Sequence, residues 1–255
     1  MKLILDCTGG FAGDMFTAAL IDAGADFNIV HNAMIKSGEK LGDITIKLTK
    51  SSDHAARLNI SLNLKNDHIG ENKIREFLNQ SFDELGISEQ YRLFGNKVLE
   101  NLIDAESEAH KSQIFEALVH HHSHNHTGTV LHEAQDILID IVGAAVGMES
   151  LKIIPSASLT GQVATGKGKV KFSHGILDIP APATKILLNK YNIQWENGEV
   201  NSELCTPTGA AILATLTDKS EKTRLTTSNI ILKGYSRGTK SLPIPPLKLY
   251  AVENS

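Results

Sequence analysis

Residues His120 to Glu149 read HHHSHNHTGTVLHEAQDILIDIVGAAVGME, so that a histidine-rich stretch runs directly into an apolar one. The part up to Asp140 holds six of the eleven histidines of the chain. Its first ten residues show no hydrophobic period and are predicted to form a loop. From Ile137 to Met148, nine of twelve residues are hydrophobic, which predicts a helix, beginning near His132, that is buried on most sides. The rest of the chain is expected to pack around this helix.

One face of the predicted helix carries ionisable side chains. At about 100° per residue, positions 132, 136, 140, 143 and 147 fall within an arc of roughly 80°. A buried carboxylate without a partner is costly, and acids one turn apart repel each other, so a cation on this face would relieve both penalties. We therefore predict that His132, Asp136 and Asp140 form a metal site and that these residues are catalytic. The alternative is an exposed helix start, with Asp136 solvated and Asp140 paired with a lysine or arginine.

The histidine-rich stretch predicts a second, less ordered kind of metal site. Imidazole suits nickel, zinc, copper and iron, and clustered imidazoles on a flexible segment can capture a metal without fixed geometry. Such binding should weaken as the pH falls through about 6.5, because the ligand must be neutral imidazole. The predicted metal ligands are His120, His121, His122, His124, His126, His132, Glu133, Asp136 and Asp140.

The N-terminal residues predict a strand, a glycine-rich turn and a helix. Lys2 to Cys7 reads as a short buried strand, followed by TGGFAGDM and a helical segment that ends at Gly24. This arrangement presents free backbone N–H groups at a helix N-terminus, which favour phosphate. The alternative is a plain tight turn in which Asp14 only complements the helix dipole.

Composition excludes several classes of protein. A net charge of −4 with a pI near 6.3 argues against a nucleic-acid partner, and two cysteines cannot form a disulfide framework. No apolar run is long enough for a membrane span or a signal peptide, so we expect a cytoplasmic protein. Residues 161–167 match GxxxxGK, but Gly168 stands where a P-loop needs serine or threonine, and this match is rejected.

The whole pattern predicts a mixed α/β (α+β) fold. The first half is helical after its short strand, glycine loop and helix, except for a predicted hairpin over Asp43 to Lys50 and Arg57 to Lys65. The second half is predicted to be rich in strands, among them strands over Lys152 to Ala164 and Gly168 to Ile179. We expect one domain over residues 1–255, with a subdivision near Ser150 as the alternative.

Several motifs, in the same order along the chain, resemble one family. Asp6 to Met15, DCTGGFAGDM, resembles the DCxxGxxGDM opening of the LarC family of nickel-insertion proteins, which mature lactate racemase. The later matching segments are His132-Glu133 with 136–143, Gly166-Lys167-Gly168 with His174-Gly175, 180–184, 206–211, and Gly234-Tyr235 through Gly238-Thr239. The chain departs from the family pattern after Glu133, where only Ala134 and Gln135 precede Asp136.

The resemblance implies a nickel chelatase of the lyase type. Such proteins insert Ni²⁺ into pyridinium-3,5-bisthiocarboxylic acid mononucleotide and form the nickel-pincer nucleotide, with CTP and Mg²⁺ or Mn²⁺. The motifs then imply substrate-binding roles for Asp6, Gly9, Gly10, Gly13, Asp14, His174, Thr206 and Thr208. The sequence resembles the N-terminal part of the family alone, so we expect a separate CTP-binding subunit and a lactate racemase-like client enzyme. Homo-oligomerisation is left open.

Two other functions remain open from the residues themselves. The first is a nickel store or metallochaperone that makes no cofactor, which the histidine-rich stretch alone would serve. The second is a metal-dependent phosphohydrolase built on Asp6, Asp14, Asp136 and Asp140.

Overall fold

The structure is a computed structural model that describes residues 1–65, 69–111, 136–172, 175–217 and 229–253. Within these residues it contains seven helices and ten strands, which confirms the mixed α/β fold. The predicted ligands His120, His121, His122, His124, His126, His132 and Glu133, and the predicted substrate contact His174, lie outside the described residues. In the part of the chain that is described, no helix is long and apolar enough to cross a membrane.

A six-stranded sheet forms one layer of the molecule, in the order β2-β3-β9-β10-β1-β4. Its strands are β1 (Lys2–Asp6), β2 (Gly42–Lys50), β3 (Ala56–Leu64), β4 (Ala157–Leu159), β9 (Ile230–Ser236) and β10 (Leu247–Val252). The hairpin of β2 and β3 confirms the alternating pattern seen in the sequence. Strand β1 lies between β10, which is antiparallel to it, and β4, which is parallel.

Four shorter strands form two small sheets after β4. The strands are β5 (Val163–Ala164), β6 (Lys169–Phe172), β7 (Gly175–Asp178) and β8 (Trp195–Glu196). Strand β5 pairs with β8 and β6 pairs with β7. The β6–β7 hairpin follows Gly168, so no helix follows the GxxxxGK match, and its rejection as a P-loop is confirmed.

Helices cover the sheet and enclose the core. They are α1 (Gly13–Asp22), α2 (Phe27–Gly38), α3 (Glu71–Leu85), α4 (Glu89–Lys111), α5 (Ile137–Ser150), α6 (Pro182–Lys190) and α7 (Pro207–Leu216). Local sequence explains several helix ends. The Asp26 side chain accepts hydrogen bonds from two backbone N–H groups at the start of α2, and Gly86 ends α3 in the left-handed conformation.

Helix α5 is the buried helix that the sequence predicts. Every residue from Ile137 to Met148 is buried, and α5 packs against α1, α2 and α4. Its two glycines make room for side chains of α1, because a Cβ at Gly143 would crowd Thr17 and one at Gly147 would crowd Leu20. The stripe read from the sequence therefore faces α1.

The structure differs from the sequence prediction in two segments. The described part of α5 begins at Ile137, with Asp136 as its N-cap residue. The predicted strand over Lys152 to Ala164 is wrong as a single element, because Lys152 has a left-handed backbone and only β4 and β5 form strands there.

Candidate functional site

A cavity of about 280 Å³ opens at the start of α1 and α5. Five segments of the chain contribute to it: the turn after β1 with the start of α1, strand β3, the N-cap of α5, the segment before α7, and the loop between β9 and β10. The described residues that line it are Gly9, Ala12, Asp14, Met15, Ile60, Asp136, Glu203, Leu204, Thr206, Arg237, Gly238, Thr239, Lys240, Leu242, Ile244 and Pro245.

The glycine-rich turn brings the starts of two helices together. The Gly10 N–H donates to the Cys7 carbonyl oxygen at 3.0 Å, which closes the turn after β1. Phe11 then pairs with the segment before α7, because its N–H donates to the Leu204 carbonyl at 2.7 Å and its carbonyl accepts from the Thr206 N–H at 3.2 Å. The Thr206 hydroxyl caps α7 by accepting from the Gly209 N–H, whereas α1 begins without a side-chain cap.

Two of the predicted acids line this cavity, and a third lies directly behind it. Asp14, in the first turn of α1, and Asp136, at the start of α5, both contribute to the wall. Asp140 is only 4% exposed, and a Cβ at Gly13 would collide with its carboxylate. Within the described residues its Oδ1 atom has no hydrogen-bond partner. Among the described residues Asp140 makes no ion pair with a lysine or arginine, so nothing there supports the alternative in which it forms one.

The three carboxyl groups disfavour each other's ionisation. Burial raises the pKa of Asp14 to about 6, and the charge of Asp136 adds to this rise. Burial also raises the pKa of Asp136, although this residue is accessible at the edge of the cavity. The pKa of Asp140 lies well above its ordinary value, because burial is joined by the charges of Asp136 and Asp14. A divalent cation at this point would reverse these penalties.

The structure places Asp6 away from the cavity lining. Its carboxylate accepts hydrogen bonds from the Thr8 N–H and hydroxyl at 3.1 and 2.7 Å, and from the Lys248 ammonium at 2.9 Å. Asp6 thus stabilises the turn and ties it to β10. Among the other predicted substrate contacts, Gly9 and Thr206 line the cavity, while Thr208 is buried in α7.

Sequence reasoning missed the basic part of the lining. Arg237, Thr239 and Lys240 belong to the loop between β9 and β10, which lies more than 220 residues after Asp14 in the sequence. A signal was present, because the Gly234-Tyr235 to Gly238-Thr239 segment matches a family motif. Without the fold, nothing related that motif to the acids.

The described residues alone do not make a complete metal site. In this part of the chain, no three histidine, cysteine, aspartate or glutamate side chains converge closely enough to hold a metal ion. The four-acid site of the phosphohydrolase hypothesis is therefore not formed, since Asp6 is bound to Thr8 and Lys248. The two cysteines, Cys7 and Cys205, are buried and free, and burial raises the pKa of both thiols.

Comparison with known proteins adds independent information. A family model described as nickel insertion protein matches residues 3–253 of the chain. No solved structure matches the chain significantly.

Curated relatives with one shared name resemble the chain over nearly its whole length. The pyridinium-3,5-bisthiocarboxylic acid mononucleotide nickel insertion protein of Staphylococcus saprophyticus is 34% identical over 245 residues, which cover 95% of this chain and 57% of the relative. Proteins of the same name from Alkaliphilus metalliredigens and Desulfitobacterium hafniense are 29% and 31% identical over 100% and 95% of this chain, and 61% and 56% of their own lengths. The chain thus spans rather more than half the length of these relatives.

Proposed function

Because the chain belongs to the nickel insertion protein family, we propose that it inserts nickel into pyridinium-3,5-bisthiocarboxylic acid mononucleotide as a chelatase. The observation that carries this proposal is the meeting of Asp14 and Asp136 in one cavity, with Asp140 packed behind them. Burial raises the pKa of all three acids, and the charge of Asp136 raises those of Asp14 and Asp140 further, so a divalent cation at this place would be stabilising.

An incomplete ligand set suits a metal that must be passed on. A closed structural metal site supplies about four protein ligands, whereas a site that reacts keeps positions open. Asp14 and Asp136 offer hard oxygen ligands, which hold nickel less strongly than soft sulfur does. The two thiocarboxylate groups of the substrate would supply that sulfur. Transfer from the acids to the substrate is therefore favourable, and His132 and Glu133 are proposed as further ligands on the protein.

The same cavity suits a single nucleotide. Its volume of about 280 Å³ is at the small end of the range for small-molecule sites, roughly 300–1,000 Å³. Thr206 and Thr239 line the same space and bring hydroxyl groups to it, whereas the Met15 N–H in the first turn of α1 already donates to the Asp14 carboxylate at 2.8 Å. We propose that the turn containing Gly9, Gly10 and Gly13 presents its backbone to the nucleotide, with Asp14 and Asp136 nearest the reacting end. The glycines themselves are required by close contacts within the protein, with Pro245, Leu204 and Asp140.

Further components complete the proposal. CTP with Mg²⁺ or Mn²⁺ would drive the reaction, supplied through a CTP-binding subunit, and a lactate racemase-like enzyme in the cytoplasm would receive the product.

The direct test is to incubate the purified protein with Ni²⁺ and the bisthiocarboxylic acid mononucleotide and to analyse the nucleotide by mass spectrometry. The reactions are run with and without CTP, Mn²⁺ and a CTP-binding subunit of the family. We expect a nickel adduct of the nucleotide in at least the complete mixture. Its absence under every condition would refute insertion.

A nickel store is the second candidate, and the five histidines between His120 and His126 favour it. A store binds several nickel ions per chain and makes no adduct. The same mass spectra, combined with the nickel content of the protein, separate the two functions. Nickel-loaded protein that never yields the adduct would identify a store.

A further inference from the structure

One wall of the cavity is a short loop, residues 238–245, which is held in place at its first end. Arg237 directly precedes it, and the Arg237 Nε atom donates to Asp53 Oδ2 at 2.9 Å while Nη2 donates to the same oxygen at 2.6 Å. The remaining terminal nitrogen donates to the Ile244 carbonyl at 2.6 Å, which folds the loop back on itself. The guanidinium is therefore committed to the loop and to the β2–β3 hairpin that carries Asp53.

The loop also lies directly on the β1–α1 segment. Gly9 sits under Pro245, since a Cβ there would collide with the Pro245 carbonyl oxygen, and a Cβ at Gly238 would lie 3.5 Å from Met15 Sδ. The backbone of the loop is thus fixed at both ends. Side chains between these ends are presented to the cavity from a defined position.

Lys240 is the cation that this loop brings to the cavity with its charge unmatched. Arg237 also lines the cavity, but its charge is paired with Asp53, whose pKa is lowered mainly by the Arg237 hydrogen bonds. In the described part of the chain, the Lys240 ammonium makes no ion pair, and its hydrogen bond goes to the uncharged Ser202 hydroxyl at 3.0 Å. An ammonium group has three donors, so two remain for a ligand.

Lys240 lines the same cavity as three acids, Asp14, Asp136 and Glu203. A ligand that fills such a cavity has an anionic group for the ammonium and a cationic or metal-binding group for the acids. A phosphorylated pyridinium compound has both, and its phosphate carries about −1.5 to −2 charges at neutral pH.

We propose that Lys240 binds the phosphate of the nucleotide that occupies this cavity, and that Arg237 and Asp53 position the loop for this contact. The inference deepens the proposed function and rests on it. The Lys240 ammonium leaves Ser202 or shares its donors when the phosphate arrives. Two sources of the phosphate share this chemistry, the mononucleotide substrate and CTP, and the experiment separates them.

The test measures dissociation constants by calorimetry for three ligands: the bisthiocarboxylic acid mononucleotide, its dephosphorylated nucleoside, and CTP. The unmodified protein is compared with Lys240→Ala, with Lys240→Arg and with the matched control Lys233→Ala, an exposed lysine of β9 that does not line the cavity. We expect Lys240→Ala to weaken binding of the mononucleotide about tenfold to a hundredfold, as for loss of a charge-assisted hydrogen bond, and to leave nucleoside binding unchanged. Lys240→Arg should restore most of the affinity.

The outcomes are distinct. Loss of affinity for CTP alone would keep Lys240 as a phosphate ligand and assign the phosphate to the triphosphate. Equal losses for mononucleotide and nucleoside, or no loss for either nucleotide, would overturn the role of Lys240 while nickel insertion by the unmodified protein still stood. An unmodified protein that binds none of the three ligands would overturn the proposed function and this inference together. The melting temperature of each variant checks that the fold is intact.

Discussion

Asp140 places a carboxyl group inside the most deeply buried helix, next to Gly13 and without a hydrogen bond to Oδ1 among the described residues. A carboxyl group whose pKa is higher in the folded than in the unfolded protein binds more protons when folded. Its contribution to stability is therefore largest at low pH and is lost as the pH rises. For Asp14 this loss falls between the ordinary pKa of 3.8 and about 6, and Asp140 extends it to higher pH.

Replacing Asp140 with asparagine should stabilise the metal-free protein. The variant keeps the shape of the side chain and removes the buried charge, so we expect a gain of about 1–3 kcal/mol at pH 8 and a smaller gain at pH 5, where the carboxyl group already holds its proton. Calorimetric melting in the presence of a chelator measures both. The matched control is Asp43→Asn, on the exposed face of β2, which should change neither value. The same gain at both pH values would contradict this account of Asp140.

Replacing Gly13 with alanine should do the opposite. Alanine usually favours a helix over glycine, but here the new Cβ would collide with the Asp140 carboxylate. We expect a loss of about 1–3 kcal/mol in the free energy of unfolding, as for an overpacked core. Chemical denaturation measures it, with Gly161→Ala as control because a Cβ there meets nothing within 4 Å. A stabilised Gly13→Ala variant would show that α1 and α5 are not in close contact.

Single residues of the site differ in how far the sequence could predict them. The period of α5 is local, so the sequence was enough to place Asp136, Asp140 and two glycines on one face. Asp6 was predicted at the site because it opens the DCTGGFAGDM motif. Its actual partner, Lys248, comes 242 positions later, and such a pairing depends on the fold.

At the scale of the elements, the position of loop 238–245 depends on the β2–β3 hairpin. The Asp53–Arg237 pair joins it to the β2–β3 hairpin. Replacing Asp53 with asparagine keeps a similar shape but removes the charge, so the loop should loosen. We expect binding of the mononucleotide to weaken about twofold to tenfold, with nickel binding to the acids unchanged. Calorimetry with each ligand measures the two effects.

A control for this variant is Glu76→Gln, which removes the exposed Lys73–Glu76 pair on α3. It should leave both affinities as they are. If Asp53→Asn weakens nickel and nucleotide binding to the same degree, the effect is a general loss of structure, and the loop has no special role.

Elements with a strong period were predicted well, and short strands were not. The hairpin of β2 and β3 and the buried helix α5 follow from alternation and from apolar content. Strands of two or three residues, such as β4 and β5, carry too few side chains to show a period. They form because β1 and β8 offer partners at the right place.

At the scale of the whole molecule, we propose that the histidine-rich stretch captures nickel and that the cavity is where nickel is inserted. Deleting residues 120–126 should lower the number of nickel ions bound per chain and leave the melting temperature of the metal-free protein unchanged. Histidine ligands must be neutral, and Asp14 also takes up a proton near pH 6. The unmodified protein should therefore lose at least as much nickel when the pH falls well below about 6.5 as is lost on deletion. Equilibrium dialysis at pH 7.5 and pH 5.5 measures both. Full nickel binding by the deletion variant would remove the histidines from the proposal.

The pairing of β1 with β10 determines when the cavity can exist during synthesis. Strand β10 is the partner through which β1 joins β9, and the cavity needs both the turn after β1 and the loop before β10. A ribosome has therefore produced the chain through β10 before the acids and Lys240 can face each other. The histidines emerge about half a chain earlier. In a nascent polypeptide, the side chains that would capture a metal are therefore present before the cavity in which it would react has formed.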